Sequence, residues 1–308
     1  MKKSRIALMI GIAGISIFPI LVKLGLTSGL ISAFYRMFFA LIILLPIVIF
    51  RKQFKWPTGR LILLSLLCGL LFGADVAVWN IAIEESTATQ ATLLTNLSPI
   101  WVGIGAFFFL VDKPKTNFWF GTVVALLGMM IIVGFEFFAN LEFDRSFYFG
   151  ILSGVFYSWY FLISKSILDK MNVPTFMTIN LVGSVAFLGV INYVAGENFF
   201  NHSAAAWSVL VIQSITTQLI GWFALNYAIS RMRATRVSLS LLSQSLITAI
   251  LAWLILSEPI TMQMILGCLV LLSGIAMTFV SKPLWAYLIP KKLVLFSQRR
   301  KRAKFNMH

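Results

Sequence analysis

The sequence predicts an all-α polytopic membrane protein in which ten transmembrane helices form two five-helix repeats of inverted topology. Three observations carry that prediction. The first is composition: 59% of the 308 residues are hydrophobic and 11% are charged, against about 25% charged in an average soluble domain. The second is spacing, because the apolar residues fall into ten runs, each close to the roughly 20 residues a bilayer-spanning helix needs. The third is the placement of charge. All of the 25 Lys and Arg residues except Lys23, Arg36 and Arg145 lie in the N-terminal segment, the even-numbered gaps between runs, or the C-terminal tail. Cationic loops stay on the cytoplasmic side of a membrane, so both termini are expected there, and an even number of spans satisfies that.

The runs are 6–22, 30–50, 61–82, 88–111, 118–137, 147–165, 175–195, 206–230, 236–256 and 261–281. The first follows Lys2, Lys3 and Arg5 much as the apolar core of a secretory signal would. No small-residue cleavage site comes after it, so it is expected to remain as an uncleaved span. Arg51, Lys52, Lys55 and Arg60 fill the second gap, Lys113 and Lys115 the fourth, Lys165 and Lys170 the sixth, and Arg231, Arg233 and Arg236 the eighth. Beyond the tenth run the segment from Lys282 to Lys304 is strongly basic. It reads both as a topology anchor and as a surface for anionic lipid, which attracts such residues by ~1 kcal/mol each. The net charge of +15 is edging of this kind rather than one basic face, so nucleic acid is not an expected partner.

Chemistry-bearing motifs are scarce. Cys68 and Cys268 are lone thiols, and His202 and His308 are the only histidines. They supply no metal cluster, no disulfide framework and no histidine-based catalytic set, and no glycine-rich phosphate loop is present. Neither a cofactor nor enzymatic activity is expected.

The chain resembles itself. Residues 121–133 lie over 267–279 with Gly121 on Gly267, Val124 on Val270, Leu126 on Leu272 and Gly128 on Gly274. The same register places Asn80 on Asn226 and Ala88-Thr89 on Ala234-Thr235; a one-residue slip sets Asp112-Lys113-Pro114 over Ser257-Glu258-Pro259. The expected units are a first repeat over 5–137, a second over 147–282, and a basic cytoplasmic tail over 283–308. Five spans is an odd number, so the second repeat starts on the opposite side of the membrane and a two-fold axis lies in the membrane plane. Inverted repeats recur in secondary transporters, with the substrate site near mid-bilayer where the repeats meet.

The stretch GADVAVWNIAIEESTATQATLLTNLSPIWVGIGAFFFLVDKP (73–114) and its weaker echo FALNYAISRMRATRVSLSLLSQSLITAILAWLILSEPIT (223–261) resemble the third-to-fifth-helix signature of EamA-type repeats in the drug/metabolite transporter superfamily. Phe34-Tyr35-Arg36-Met37-Phe38 resembles the Arg-containing start of that family's second helix. The resemblance covers about residues 5–282. It implies a ten-helix carrier that exchanges or exports small metabolites through a central cavity between the halves. The second copy has Gln244-Ser245 near where the first has Ser98-Pro99, and the first ends Asp112-Lys113-Pro114 rather than the common Glu-Arg, so substrate preference does not transfer.

Ionisable groups at membrane depth usually face a cavity or a partner. Asp75, in the third span, and Arg36, in the second, are expected at similar depth in the outer half. Two readings stand: Asp75 binds a proton or a cation, or the two residues form a fixed structural ion pair. Asn80 and Asn226 occupy equivalent places and read as helix-packing amides, whereas Asn96, Gln218 and Gln244 lack that symmetry and read as cavity-facing. Pro99 is expected to kink the fourth span. Trp79, Trp101, Tyr157, Tyr160 and Trp222 lie deep and suit either core packing or a wall that holds an organic cation. The expected substrate or ion site is therefore Asp75, Arg36, Trp79, Asn96, Tyr160, Gln218, Trp222 and Gln244. The expected function is secondary active transport of small metabolites (amino acids or related organic solutes), outward, by alternating access and with proton coupling. A lipid flippase and a membrane-embedded enzyme are the alternatives. The expected location is the inner (plasma) membrane, as monomer or homodimer, with the bilayer and a small-molecule substrate as partners.

Overall fold

A computed structural model describes residues 2–24, 26–85, 94–134, 145–257 and 260–280. The basic tail over 283–308 and the first residues of the 88–111 run lie outside them. Helices follow one another without a strand among the described residues, as the bilayer requires, since every backbone polar group must bond within its own segment. They are α1 (Lys2–Ser16, continued by Phe18–Lys23), α2 (Gly29–Phe50), α3 (Gly59–Glu85), α4 (Ser98–Phe109), α5 (Thr116–Val133), α6 (Arg145–Leu168), α7 (Val173–Val194), α8 (Ala204–Gln213, Ser214–Trp222 and Phe223–Arg231), α9 (Ala234–Ser240, Leu241–Ser243 and Gln244–Leu256) and α10 (Met262–Phe279). Among the described residues nine helical stretches are long and apolar enough to cross a membrane, and Ser98–Phe109 is a shorter tenth.

Polar side chains mark where several helices begin. Ser28, Asn172, Ser203 and Thr261 cap α2, α7, α8 and α10 by accepting the backbone N–H three residues on, which satisfies donors that a helix start leaves unpaired. Pro99 marks a break in the fourth span, as its place in the sequence predicts: Leu94 and Thr95 are helical, the chain turns at Asn96-Leu97, and Pro99 sits in the first turn of the resumed helix α4. A first-turn position needs no N–H and suits the fixed φ of proline. The second repeat breaks at the equivalent place without a proline: a 3₁₀ turn over Leu241–Ser243 interrupts α9 before it resumes at Gln244.

The packing pattern is itself two-fold. α3 packs on α6 as α8 packs on α1, α3 on α7 as α8 on α2, and α4 on α6 as α9 on α1; α5 with α10, and α2 with α7, pair across the axis. At the α5–α10 crossing the glycines aligned from sequence meet reciprocally. A Cβ on Gly121 would come 2.5 Å from the Gly274 carbonyl oxygen, and one on Gly267 would come 2.8 Å from that of Gly128. Only glycine allows backbones this close. α3 and α7 meet similarly, at Gly69 and Gly183, and there Ser184 donates to the Gly69 carbonyl at 2.9 Å.

Candidate functional site

Helical spacing puts Phe72, Asp75 and Trp79 along one side of α3. Asp75 is buried and accepts a hydrogen bond from Ser153 Oγ of α6 at 2.6 Å. Ser153 Oγ lies 3.0 Å from Thr95 Oγ1; a hydroxyl has one proton, and that of Ser153 is directed at Asp75, so Thr95 donates in turn. The chain Thr95–Ser153–Asp75 thus links the break before α4 to the middle of α3.

Beside it stands an aromatic wall. Phe72 stacks on Tyr160 at 5.0 Å between ring centroids and meets Trp222 edge-on at 4.4 Å. Tyr160 and Trp222 are 5.4 Å apart, and Tyr157 stands 6.2 Å from Trp222. The Tyr160 hydroxyl donates to Asn226 Oδ1 at 3.0 Å, while Asn226 Nδ2 donates to the Trp222 carbonyl one turn back. Asn80 makes the same backward bond to Val76, and its side chain occupies the space a Cβ on Gly29 would need.

Arg36 is buried too, and of the two readings open for it with Asp75 the fixed ion pair is not the one the structure forms. Among the described residues no ion pair joins Arg36 to Asp75, although the two lie within electrostatic reach. The Arg36 guanidinium lies over the Phe18 ring of α1, 4.2 Å from its centroid, and its Nε has no hydrogen-bond partner. The reason is packing: α7 packs extensively on both α2 and α3, which touch each other far less, so the carboxylate turns to α6 and the guanidinium to α1.

Trp79 is half-buried, 6.2 Å from Phe18. Gln218 is buried in the π-helical part of α8, and its Oε1 has no partner; Asn96 Nδ2, at the break before α4, has none either. The expected residues Asp75, Tyr160 and Trp222 thus belong to one polar-aromatic centre, and Arg36 reaches it through Phe18 and Trp79. Gln244 stands apart. Its backbone N–H donates to the 3₁₀ turn and its backbone carbonyl accepts from Ser16 Oγ at 3.4 Å, but its side chain makes no hydrogen bond among the described residues. Phe18, Phe72, Thr95 and Ser153 were not singled out from sequence. A lone Phe or Ser in an apolar run carries no signal that separates it from packing; the one clue was that Phe72 and Trp79 flank Asp75 at helical spacing.

The sequence pattern of the EamA-like transporter family matches residues 3–134 and 145–280. The uncharacterized transporter YdfC of Bacillus subtilis (strain 168) is 27% identical over 281 residues, 89% of either chain. An S-adenosylmethionine uptake transporter of Rickettsia felis is 26% identical over 227 residues, 73% of this chain and 74% of the relative. A solved crystal structure superposes with a TM-score of 0.75 at 13% identity and covers 90% of this chain and 97% of its own, a likeness of fold.

Proposed function

Because the chain belongs to the EamA-like transporter family and is a multi-pass membrane transporter, we propose that it carries a small zwitterionic metabolite of amino-acid type by alternating access, in exchange for protons. The observation that carries this reading is that the protein buries two opposite charges, Asp75 and Arg36, without pairing them. A buried charge is costly unless something compensates it, and a zwitterion offers one end to each. The substrate ammonium sits at the Asp75 carboxylate against the Phe72–Tyr160–Trp222 wall, where the ring faces attract it. Its carboxylate sits at Arg36, and Gln218 Oε1 accepts a further N–H.

Coupling follows from one acceptor serving two ligands. Asp75 holds either the proton or the ammonium, so substrate leaves for one side only as a proton arrives from it, and an inward proton gradient drives outward transport. The likeness to transporters named for S-adenosylmethionine uptake favours substrates in which an amino-acid zwitterion is joined to further positive charge and a flat ring. The plasma membrane with both termini cytoplasmic is the orientation that the cationic gaps support. The test is transport into vesicles holding the purified protein, with an imposed pH gradient and a panel of amino acids, organic cations and S-adenosylmethionine. Gradient-dependent movement of a zwitterion that disappears in Asp75→Asn is expected. Unchanged transport and pH dependence in that variant would sink the reading.

A further inference from the structure

The helix ends that carry most of the cationic gaps do not spread their charge evenly. A concavity of about 270 Å³ at that face is lined by Arg5 from α1, Lys165 from α6, Arg231 and Arg233 at the α8–α9 link, Arg236 of α9, and Asp112 from the α4–α5 link. Two of the cations have carboxylate partners: Arg233 meets Asp112 at 3.4 Å and Lys165 meets Asp169 at 2.9 Å. The others do not among the described residues. Arg5 and Arg236 share the Phe279 ring, each 5.6 Å from its centroid. Arg236 bonds only a backbone carbonyl, that of Thr278 at 3.0 Å, and is repelled by both Arg233 and Arg5.

The described residues offer no further relief: among them Asp112 and Asp169 are the acidic residues at this face, and Asp75 lies within α3. Topology anchoring explains why cations lie on this side, but it does not ask them to converge on one hollow from both repeats. Low-dielectric walls around charge of one sign focus its field, and arginine forks match the oxygens of phosphate in pairs.

We propose that this basic mouth is a binding site for a multivalent phosphate-bearing anion, which takes the place of the missing carboxylates and ties α1 of the first repeat to the α8–α9 link of the second. Pyrophosphate is the probe. Thermal unfolding of the purified full-length protein is followed as pyrophosphate replaces sodium chloride at constant ionic strength. A dose-dependent rise in Tm is expected, as for any ligand that binds only the folded state, and at least half of it should vanish in Arg5→Gln/Arg231→Gln. The same comparison with Arg231→Gln alone, a single exposed position, serves if the double variant does not fold. No rise beyond that given by sodium chloride, or an undiminished rise in the variants, would overturn the site. Repeating the titration in bilayer discs separates the two sources of the anion. A rise seen in phosphatidylcholine and suppressed in phosphatidylglycerol assigns the mouth to a lipid headgroup; an equal rise in both assigns it to a soluble phosphate.

Discussion

α3 and α8 are the same helix of two repeats, yet at corresponding positions they carry different groups. In the register that lays Asn80 on Asn226, Asp75 of α3 falls on Gly221 of α8, and Phe72 falls on Gln218. The partner helices differ in step. Asp75 meets Ser153 of α6; Gly221 meets Gly14 and Ile15 of α1, where a Cβ would come 3.1 Å from the Ile15 backbone nitrogen. One crossing bears a hydrogen-bonded carboxylate and its counterpart is close backbone packing. α3 is regular throughout, whereas α8 widens into a π-helix over Ser214–Trp222, a form that accompanies functional sites. The residue just before the widened stretch is tied to α2, with Ser32 Oγ donating to Gln213 Oε1 and Gln213 Nε2 donating to the Ser32 carbonyl, both at 3.0 Å. Duplication supplied two equivalent crossings, and symmetry of the scaffold did not require symmetry of the chemistry.

The most drastic way to break this contrast is to make the second crossing like the first. Gly221→Asp buries a carboxylate with no hydroxyl opposite and forces a side chain against α1. Overpacking costs about 1–3 kcal/mol and an uncompensated buried polar group adds more. The expected outcome is loss of the monodisperse species in size-exclusion chromatography. Gly274→Ala tests the shared axis. Its Cβ would lie 2.5 Å from the Ala125 nitrogen, so a fall in Tm of several degrees is expected, while Gly59→Ala, with nothing within 4 Å, leaves Tm unchanged.

The first crossing is sharpened by removing charge and donor separately. Asp75→Asn keeps an oxygen to accept from Ser153, so the fold should survive while proton-driven transport in vesicles drops at least tenfold. Ser153→Ala leaves the carboxylate without its buried donor, a loss of about 1.5–3 kcal/mol for a hydrogen bond to a charged group, read as a lower denaturation midpoint. Transport surviving in Asp75→Asn but not in Ser153→Ala would move the chemistry from the carboxylate to the hydroxyl relay.

How much of this was legible beforehand divides along a physical line. The helices and the inverted duplication follow from hydropathy, charge placement and glycine register, all of which are properties of the chain read in one dimension. The failure to pair Asp75 with Arg36 does not, because it depends on α7 packing against both α2 and α3. Pro99 was legible as a break in the fourth span, and the described residues place that break one turn ahead of it, at Asn96-Leu97. Ser153 and Phe18 were invisible because their residue types are what any packed membrane helix contains. Gln244 was read as cavity-facing because it lacks symmetry, but the 3₁₀ break that it ends is symmetric with the break before Ser98.

The smallest expected effect separates the two asparagines. Asn80 and Asn226 make the same backward bond, but Asn226 alone receives a tyrosine hydroxyl. Tyr160→Phe removes that hydroxyl and keeps the ring against Phe72 and Trp222. The amide oxygen of Asn226 then loses its donor, for about 1 kcal/mol, a shift in Tm of a few degrees with transport intact. The ring serves the wall and the hydroxyl only fixes it, so substrate affinity should fall in Trp222→Ala and not in Tyr160→Phe. If Tyr160→Phe instead weakens affinity tenfold while Tm holds, the hydroxyl must leave Asn226 for the substrate during the cycle. The two asparagines would then differ in function as well as in packing.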